Sequence, residues 1–425
     1  MKKVALALAS VAAIATFAPE ASAVPVFARQ TGMACSACHF QHFPLLNGFG
    51  RSFKSSAFTL MGAQGKVEGE NEGVKVDIPD RLNMAVLSSA YWQNEGGQPA
   101  NQARWGVPAA GGELSIFYGG RASEYAGFLS ELGVAGAAST GAAKLAMLFP
   151  VDDMRVGVVA YTGGQGAAYS FEYLNTGAAD THKMMGNAGP NKQHVTAAYA
   201  GSWLGTRQNA TGVSVVANNS MGFINVGKYA VAGPGTGNAN DLPLTYARIA
   251  TTMDVAGWDM GFGVQHFSGN MSPVLNGGVS TSDYNANVID AQAQGEMGGM
   301  STGLYVTYGL APASSAGNVM AGGWSNIVGL NAGTQTNVAA SALNVSGTVE
   351  VMHGATVQAG VRFATFTPNV GNSTTDNAYM IGATYDISQN IALGLNYTMQ
   401  SGTAWDALAA PVGKDATTFL LEALF

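Results

Sequence analysis

Strict alternation of side-chain character runs through the C-terminal third of the chain. Residues 378–387 read AYMIGATYDI, with Tyr379, Ile381, Ala383, Tyr385 and Ile387 on one face. Met380, Gly382, Thr384 and Asp386 fall on the other. Residues 390–400, NIALGLNYTMQ, oppose Ile391, Leu393, Leu395, Tyr397 and Met399 to Ala392, Gly394, Asn396, Thr398 and Gln400. Val357, Ala359, Val361 and Phe363 stand opposite Gln358, Gly360 and Arg362, and Leu304, Val306, Tyr308 and Leu310 opposite Gly303, Tyr305, Thr307 and Gly309. A period of two sends successive side chains to opposite faces of a strand. This segment is built to fold as sheet.

The polar faces are small and often glycine, with few of the Lys and Glu of a water-facing sheet. Charged residues are 11% of the chain, against about 25% in ordinary soluble proteins. Beyond the first residues no uncharged apolar run reaches about 18, so no helix is expected to span a bilayer. A soluble β-sandwich is one alternative for such strands. The small polar faces, the tyrosines at strand ends and the terminal TTFLLEALF favour a transmembrane outer-membrane barrel. In that last strand Phe419, Leu421, Ala423 and Phe425 share a face, and a final aromatic resembles the assembly signal of bacterial outer-membrane barrels. The expected fold class is therefore all-β, a barrel of about 16 antiparallel strands at roughly 20 to 22 residues per strand and connection. A barrel that wide leaves a lumen its own wall does not fill.

The chain opens MKKVALALASVAAIATFAPEASA. Lys2 and Lys3, the apolar stretch Val4 to Phe17 and the small residues Ala21-Ser22-Ala23 read as a secretory signal cut after Ala23. Its removal moves the formal charge from −7 to −8, and no basic patch points to nucleic acid. The domains predicted are 1–23 signal peptide, 24–78 a small segment holding both cysteines and a linker, and 79–425 barrel. Ser388-Gln389 reads as a short periplasmic turn. Residues 367–377 and 401–416 on either side of it read as longer external loops, and 163–192, 232–242 and 268–283 as long loops. The loop holding Asp180, His182, Lys183, Met184 and Met185 reads as solvated rather than as a metal contact.

Both cysteines lie in MACSACHFQHF, residues 33–43. Cys35-Ser36-Ala37-Cys38-His39 has the spacing of covalent haem attachment, two thiols for the vinyl groups and His39 as proximal ligand. A redox dithiol would want a thioredoxin-like context, and a zinc site two further ligands where only His42 is near. Met61 is the candidate distal ligand. His42 would have to reach round the ring, Met33 is close in sequence, and Met61 also reads as a packing residue. Within residues 44–58, Leu46, Phe49, Phe53 and Ala57 recur at helical spacing behind Pro44. Arg29 and Arg51 are candidates to pair with haem propionates. Some forty residues cannot bury a haem unaided, so this segment needs another surface, and the barrel lumen offers one.

Residues 24–61 resemble the fused monohaem cytochrome c–porins of the bacterial outer membrane, a family that includes iron oxidases. The likeness rests on Phe27-Ala28-Arg29-Gln30-Thr31-Gly32, then Cys35, Cys38 and His39, then Pro44, Gly50-Arg51, Phe53-Lys54 and Phe58-Thr59. It implies one covalent haem c held in the barrel, extracellular Fe(II) as electron donor and a periplasmic c-type cytochrome as acceptor. The expectation is an oxidoreductase in outer-membrane lipid, with acidic external loops attracting cations. Two other readings stand beside it: the same conduit serving another donor or acceptor, and a diffusion porin with a structural or sensory haem.

Overall fold

The computed structural model describes residues 26–96, 104–134, 141–163, 166–177, 204, 206, 209–231, 241–271, 282–321, 338–368, 371–406 and 414–425. The expected signal peptide and the loop residues Asp180, His182, Lys183, Met184 and Met185 lie outside them.

Sixteen long strands form one closed antiparallel wall. They are β1 (Met84–Glu95), β2 (Leu114–Ser123), β3 (Ala126–Gly133), β4 (Gly141–Val151), β5 (Met154–Gly163), β6 (Ala210–Asn219), β7 (Gly222–Ala230) and β8 (Leu244–Val255). They continue as β9 (Trp258–Ser268), β10 (Ala286–Met297), β11 (Met300–Ala311), β12 (Ala339–Met352), β13 (Ala355–Thr367), β14 (Thr374–Ser388), β15 (Ile391–Ser401) and β16 (Asp415–Leu424). Each pairs with the next, and β16 closes on β1 from Ala416↔Glu95 to Leu424↔Leu87. Closure leaves no sheet edge unpaired, as strands in hydrocarbon require.

The alternation read from sequence is the alternation of the wall. On β13, Gln358 and Arg362 point inward and are buried, while Val357 and Phe363 point outward and are exposed. On β9, Gln265 is buried and Val264 is 50% exposed. A water-soluble sandwich would hide Val264 and show Gln265, so that alternative is excluded. Nothing else in the chain would turn this many valines and isoleucines outward except lipid.

Strand limits differ from the sequence reading in two places. The wall begins at Met84 rather than at residue 79, because residues 66–79 form a separate hairpin, Lys66–Asn71 paired with Val74–Pro79. The predicted loop 367–377 shrinks, since β13 reaches Thr367 and β14 starts at Thr374. Threonine suits the outer rim of a strand as well as it suits a loop.

Short turns at 124–125, 152–153, 220–221, 256–257, 298–299, 353–354 and 389–390 all lie at one end, and longer connections at the other. Phe425 is at the short-turn end, where its N–H donates to Val86 O at 2.9 Å. In barrels of this architecture that end faces the periplasm. Exposed acids gather there: Glu124, Asp152, Asp153, Asp254 and Glu296. The sequence reading put the acidic surface on the external loops; among the described residues it lies mostly on the opposite rim.

The long-connection end is filled by apolar side chains. Tyr284, Met320 and Trp405 come from connections, and Tyr161, Tyr229, Tyr246, Phe267 and Phe366 from the wall, packed as one cluster. The connection after β5 turns inward, and residues 166–177 are buried throughout. This strap is tied to the wall by charge. Arg248 Nε donates to Glu172 Oε2 at 2.9 Å and Nη2 to Asp290 Oδ1 at 3.0 Å, with Thr176 Oγ1 donating to the same Asp290 oxygen at 2.6 Å. Removing one member of such a buried set strands the others, at about 3–5 kcal/mol.

A lipid-face charge tests the orientation. Val264→Arg should cost about 2–4 kcal/mol in a urea titration in phospholipid vesicles, whereas Met300→Arg beside a short turn should cost about 0–1 kcal/mol. Equal costs would show that Val264 does not face the bilayer midplane.

Candidate functional site

Residues 26–63 occupy the short-turn end of the lumen and touch the wall on several sides. Val26 packs on Ala85, Leu87 and Leu424, Leu45 on Tyr305, Ala378 and Met380, and Ala57 belongs to a cluster with Leu148, Val159 and Val216. Gln41 Nε2 donates to Ser301 O at 2.9 Å, and Arg51 forms an ion pair with Asp259. The segment's buried apolar residues pack on strands of the wall as well as on one another.

Three short helices shape the segment: α1 (Val26–Thr31), α2 (Cys35–Cys38) and α3 (Gly48–Ser55). α2 is a single turn, closed by His39 N donating to Cys35 O at 2.9 Å. It sets both cysteines one turn apart, unlinked to each other and each half-buried. His39 leaves the helix in extended conformation, φ −108°, ψ 142°, and bridges to Leu46.

That bridge orients the imidazole. The returning strand places Leu45 O 3.1 Å from His39 Nδ1, and the same carbonyl accepts Phe40 N–H at 2.8 Å. With Nδ1–H donating to a carbonyl, Nε2 carries the lone pair, which is how a metal-binding histidine is held. Burial drives His39 down to about 4, against the raising effect of the Leu45 and Pro44 carbonyls, so the ring is neutral near pH 7. Burial also raises the Cys38 thiol.

Asn47 holds the motif and the third helix together. Its Oδ1 caps α3 by accepting Gly50 N–H at 2.9 Å, and its Nδ2 donates to Ala37 O at 3.1 Å, with Ser36 O and His39 O slightly farther. Its own N–H donates to Cys38 O at 3.0 Å. Position 50 must be glycine, because a Cβ there would overlap the Cys38 carbonyl. An asparagine before a helix start is a readable cap signal, but its grip on α2 is not.

The strap reaches the site from above. Asn175 accepts Leu46 N–H at 2.8 Å and donates to Leu46 O at 3.0 Å, while its backbone N–H donates to Gln292 Oε1 at 2.6 Å. Two hydrogen bonds on one residue fix the strand that carries the Leu45 carbonyl. Asn175 is 129 residues from Leu46, and no local pattern marks it.

Other predicted residues fall less simply. Met61 is half-buried in a segment pinned to the end of α1, where Gln30 Nε2 donates to Phe58 O and Leu60 O, both at 2.7 Å, and Gly62 N to Gln30 O at 3.2 Å. His42 lies within electrostatic reach of His39. Its Nδ1 sits 2.6 Å from Phe43 O, and its Nε2 is buried with no hydrogen-bond partner. The helix expected over 44–58 begins only at Gly48, after a cis Phe43-Pro44 bond. Its buried face carries Gly50, Arg51, Phe53 and Lys54, while Phe49 is exposed. The lumen around it is polar, so charged residues turn inward. Arg51 is held by Asp259 with Nη1 left unpartnered, and Arg29 Nη1 donates to Met84 O at 2.8 Å.

These residues fit a covalently attached haem. The sulfurs form no disulfide and stand a turn apart, the histidine has its far nitrogen fixed, and among the described residues the buried His42 Nε2 and Arg51 Nη1 of the same segment find no hydrogen-bond partner, as a metal or carboxylate would provide. Among the described residues no three His, Cys, Asp or Glu converge on a point, so the zinc reading finds no ligand set there.

The architecture is that of a 16-stranded outer-membrane β-barrel. The DcaP channel of Acinetobacter baumannii aligns with a TM-score of 0.51 at 11% identity over 81% of this chain and 96% of that one. OprB of Pseudomonas putida aligns with a TM-score of 0.52 at 10% identity over 81% of this chain and 94% of that one. No protein-family description and no curated protein matches the sequence.

Two substitutions test the construction of the site. Asn175→Ala should leave Leu46 N–H and C=O unpartnered at about 1–3 kcal/mol, seen as roughly 10- to 100-fold faster hydrogen exchange at Leu46 with the barrel intact. Gly50→Ala should sharply lower haem attachment per folded protein on a haem-stained gel. Gly48→Ala, where a Cβ meets nothing nearer than 3.5 Å, should not.

Proposed function

We propose that the protein is an outer-membrane electron conduit that oxidises extracellular Fe(II) to Fe(III), one electron at a time, and passes the electron to a periplasmic c-type cytochrome. The observation that carries this reading is the His39 arrangement: a Cys-x-x-Cys-His turn with Nδ1 tied to Leu45 O, anchored in the lumen. In this reading Cys35 and Cys38 attach one haem c by thioether bonds and His39 Nε2 holds its iron. The haem supplies a one-electron couple that no side chain here has.

The remaining residues hold and insulate. Leu45, Asn47 and Asn175 set the histidine and the turn, so that little rearranges when charge changes. In this reading the apolar cluster at the long-connection end, with Trp405, Tyr246 and Phe267, keeps hydrated ions and bulky ferric products out of the lumen. That sealing favours a conduit over an open pore. The fold's likeness to channels keeps the alternative of a porin with a structural haem in view, and a conduit for another donor remains the nearest variant.

The test is direct. Oxidised protein in detergent, given Fe(II) without oxygen, should develop the α-band of ferrous cytochrome c, while planar bilayers should show little steady conductance. A haem that dithionite reduces but Fe(II) does not would remove iron as donor. High conductance would favour the porin.

A further inference from the structure

We infer that the hairpin at residues 66–79, with the rim beside it, is the docking surface for a soluble basic redox protein; this rests on the reading that electrons leave at the short-turn end. Its register puts Val67 opposite Ile78, Gly69 opposite Val76 and Asn71 opposite Val74 on one face, and Glu68 opposite Asp77 and Glu70 opposite Lys75 on the other. On the charged face only Asp77 is engaged by the body of the protein, while Glu68, Glu70 and Lys75 are exposed. Asp77 pairs with Arg121 of β2 and with Lys66, and Arg121 Nη1 reaches back to Thr59 O at 3.0 Å. The apolar face is open: Val67, Val74, Val76 and Ile78 are 40% to 75% exposed.

A lone two-stranded hairpin gains little by showing such a face to water. The face is continuous with the haem-binding segment. Asp80 N–H closes the hairpin base on Gly65 O at 2.9 Å, and Ala63 lies against Gly32, two residues before the α2 cap. Met33, Leu60 and Leu82 in the same region are also exposed.

Charge selects the occupant. Exposed acids of the hairpin and its base are Glu68, Glu70, Glu72 and Asp80, and of short turns at the same end Glu124, Asp152 and Asp153, against Lys66, Lys75, Arg81 and Arg155. A second copy would bring the same carboxylates, and anionic lipid would be repelled as well. A partner with an apolar spot inside a lysine ring satisfies both parts of the surface, and steering by opposite charge suits a brief encounter.

The probe is zinc-substituted, lysine-rich cytochrome c of mitochondrial type, which binds without redox chemistry. Calorimetry on the full haem-loaded protein should show binding that weakens at least roughly tenfold between low salt and about 0.2 M salt, as screened surface charge requires. The triple variants E68Q/E70Q/E72Q and V74S/V76S/I78S should each weaken it by roughly tenfold, with heat-modifiable gel migration unchanged. Affinity indifferent to both variants or to salt would overturn the proposal. So would hairpin-dependent dimers in sedimentation, or quenching of V76W by brominated lipid. Fe(II) reduction of the haem, measured on the same samples, separates the two readings: its absence with binding intact sinks iron as donor and leaves the docking surface standing.

Discussion

A wall of sixteen strands encloses more space than its own inward side chains fill, and the rest of the molecule answers to that constraint. The chain fills the lumen from both ends. Residues 26–63 enter from the short-turn end, and the strap 166–177 descends from the other. They meet where Asn175 takes both backbone groups of Leu46. Through the preceding residue, Leu45, that contact helps set the direction of the His39 ring. The candidate site is thus assembled from two distant stretches of sequence, and neither holds its geometry alone.

Burying polar groups in this interior is tolerated because the lumen is not a hydrocarbon core. Arg248 lies between Glu172 of the strap and Asp290 of the wall, and Lys54 of α3 is lowered by burial but pulled back up by Glu172. These charges fasten filler to wall. Nearer the outer mouth the described residues form an apolar cluster instead, so the two ends of the lumen differ in the chemistry of what packs into them.

Legibility followed the range of the interaction. Period-two alternation in Tyr379 to Ile387 or Ile391 to Met399 needs only neighbours along one strand, and those faces appear in the wall as read. The helical reading of 44–58 held over Gly48–Ser55, with Leu46, Phe53 and Ala57 buried as expected, but it assumed a wholly apolar packing surface. In a polar lumen the buried face of α3 carries Arg51 and Lys54, and Phe49 turns out. The hairpin at 66–79 passed for linker because its alternation is short and one face is all charge. The acidic surface was expected on external loops, where composition alone cannot tell one rim from the other.

By itself the sequence determined the class of wall, the pairing direction of its strands and the one place where two cysteines and a histidine share a turn. Those depend on side-chain period and on spacing within a few residues. Tertiary structure decided that Leu45 O faces His39 Nδ1, that Asn175 comes from 129 residues away to hold Leu46, and that Gly50 lies against Cys38. It also decided which end of the barrel bears the acid and the open hairpin face. Such contacts arise only when the wall closes and sets the reach of every connection, and no local pattern encodes a distance across a lumen.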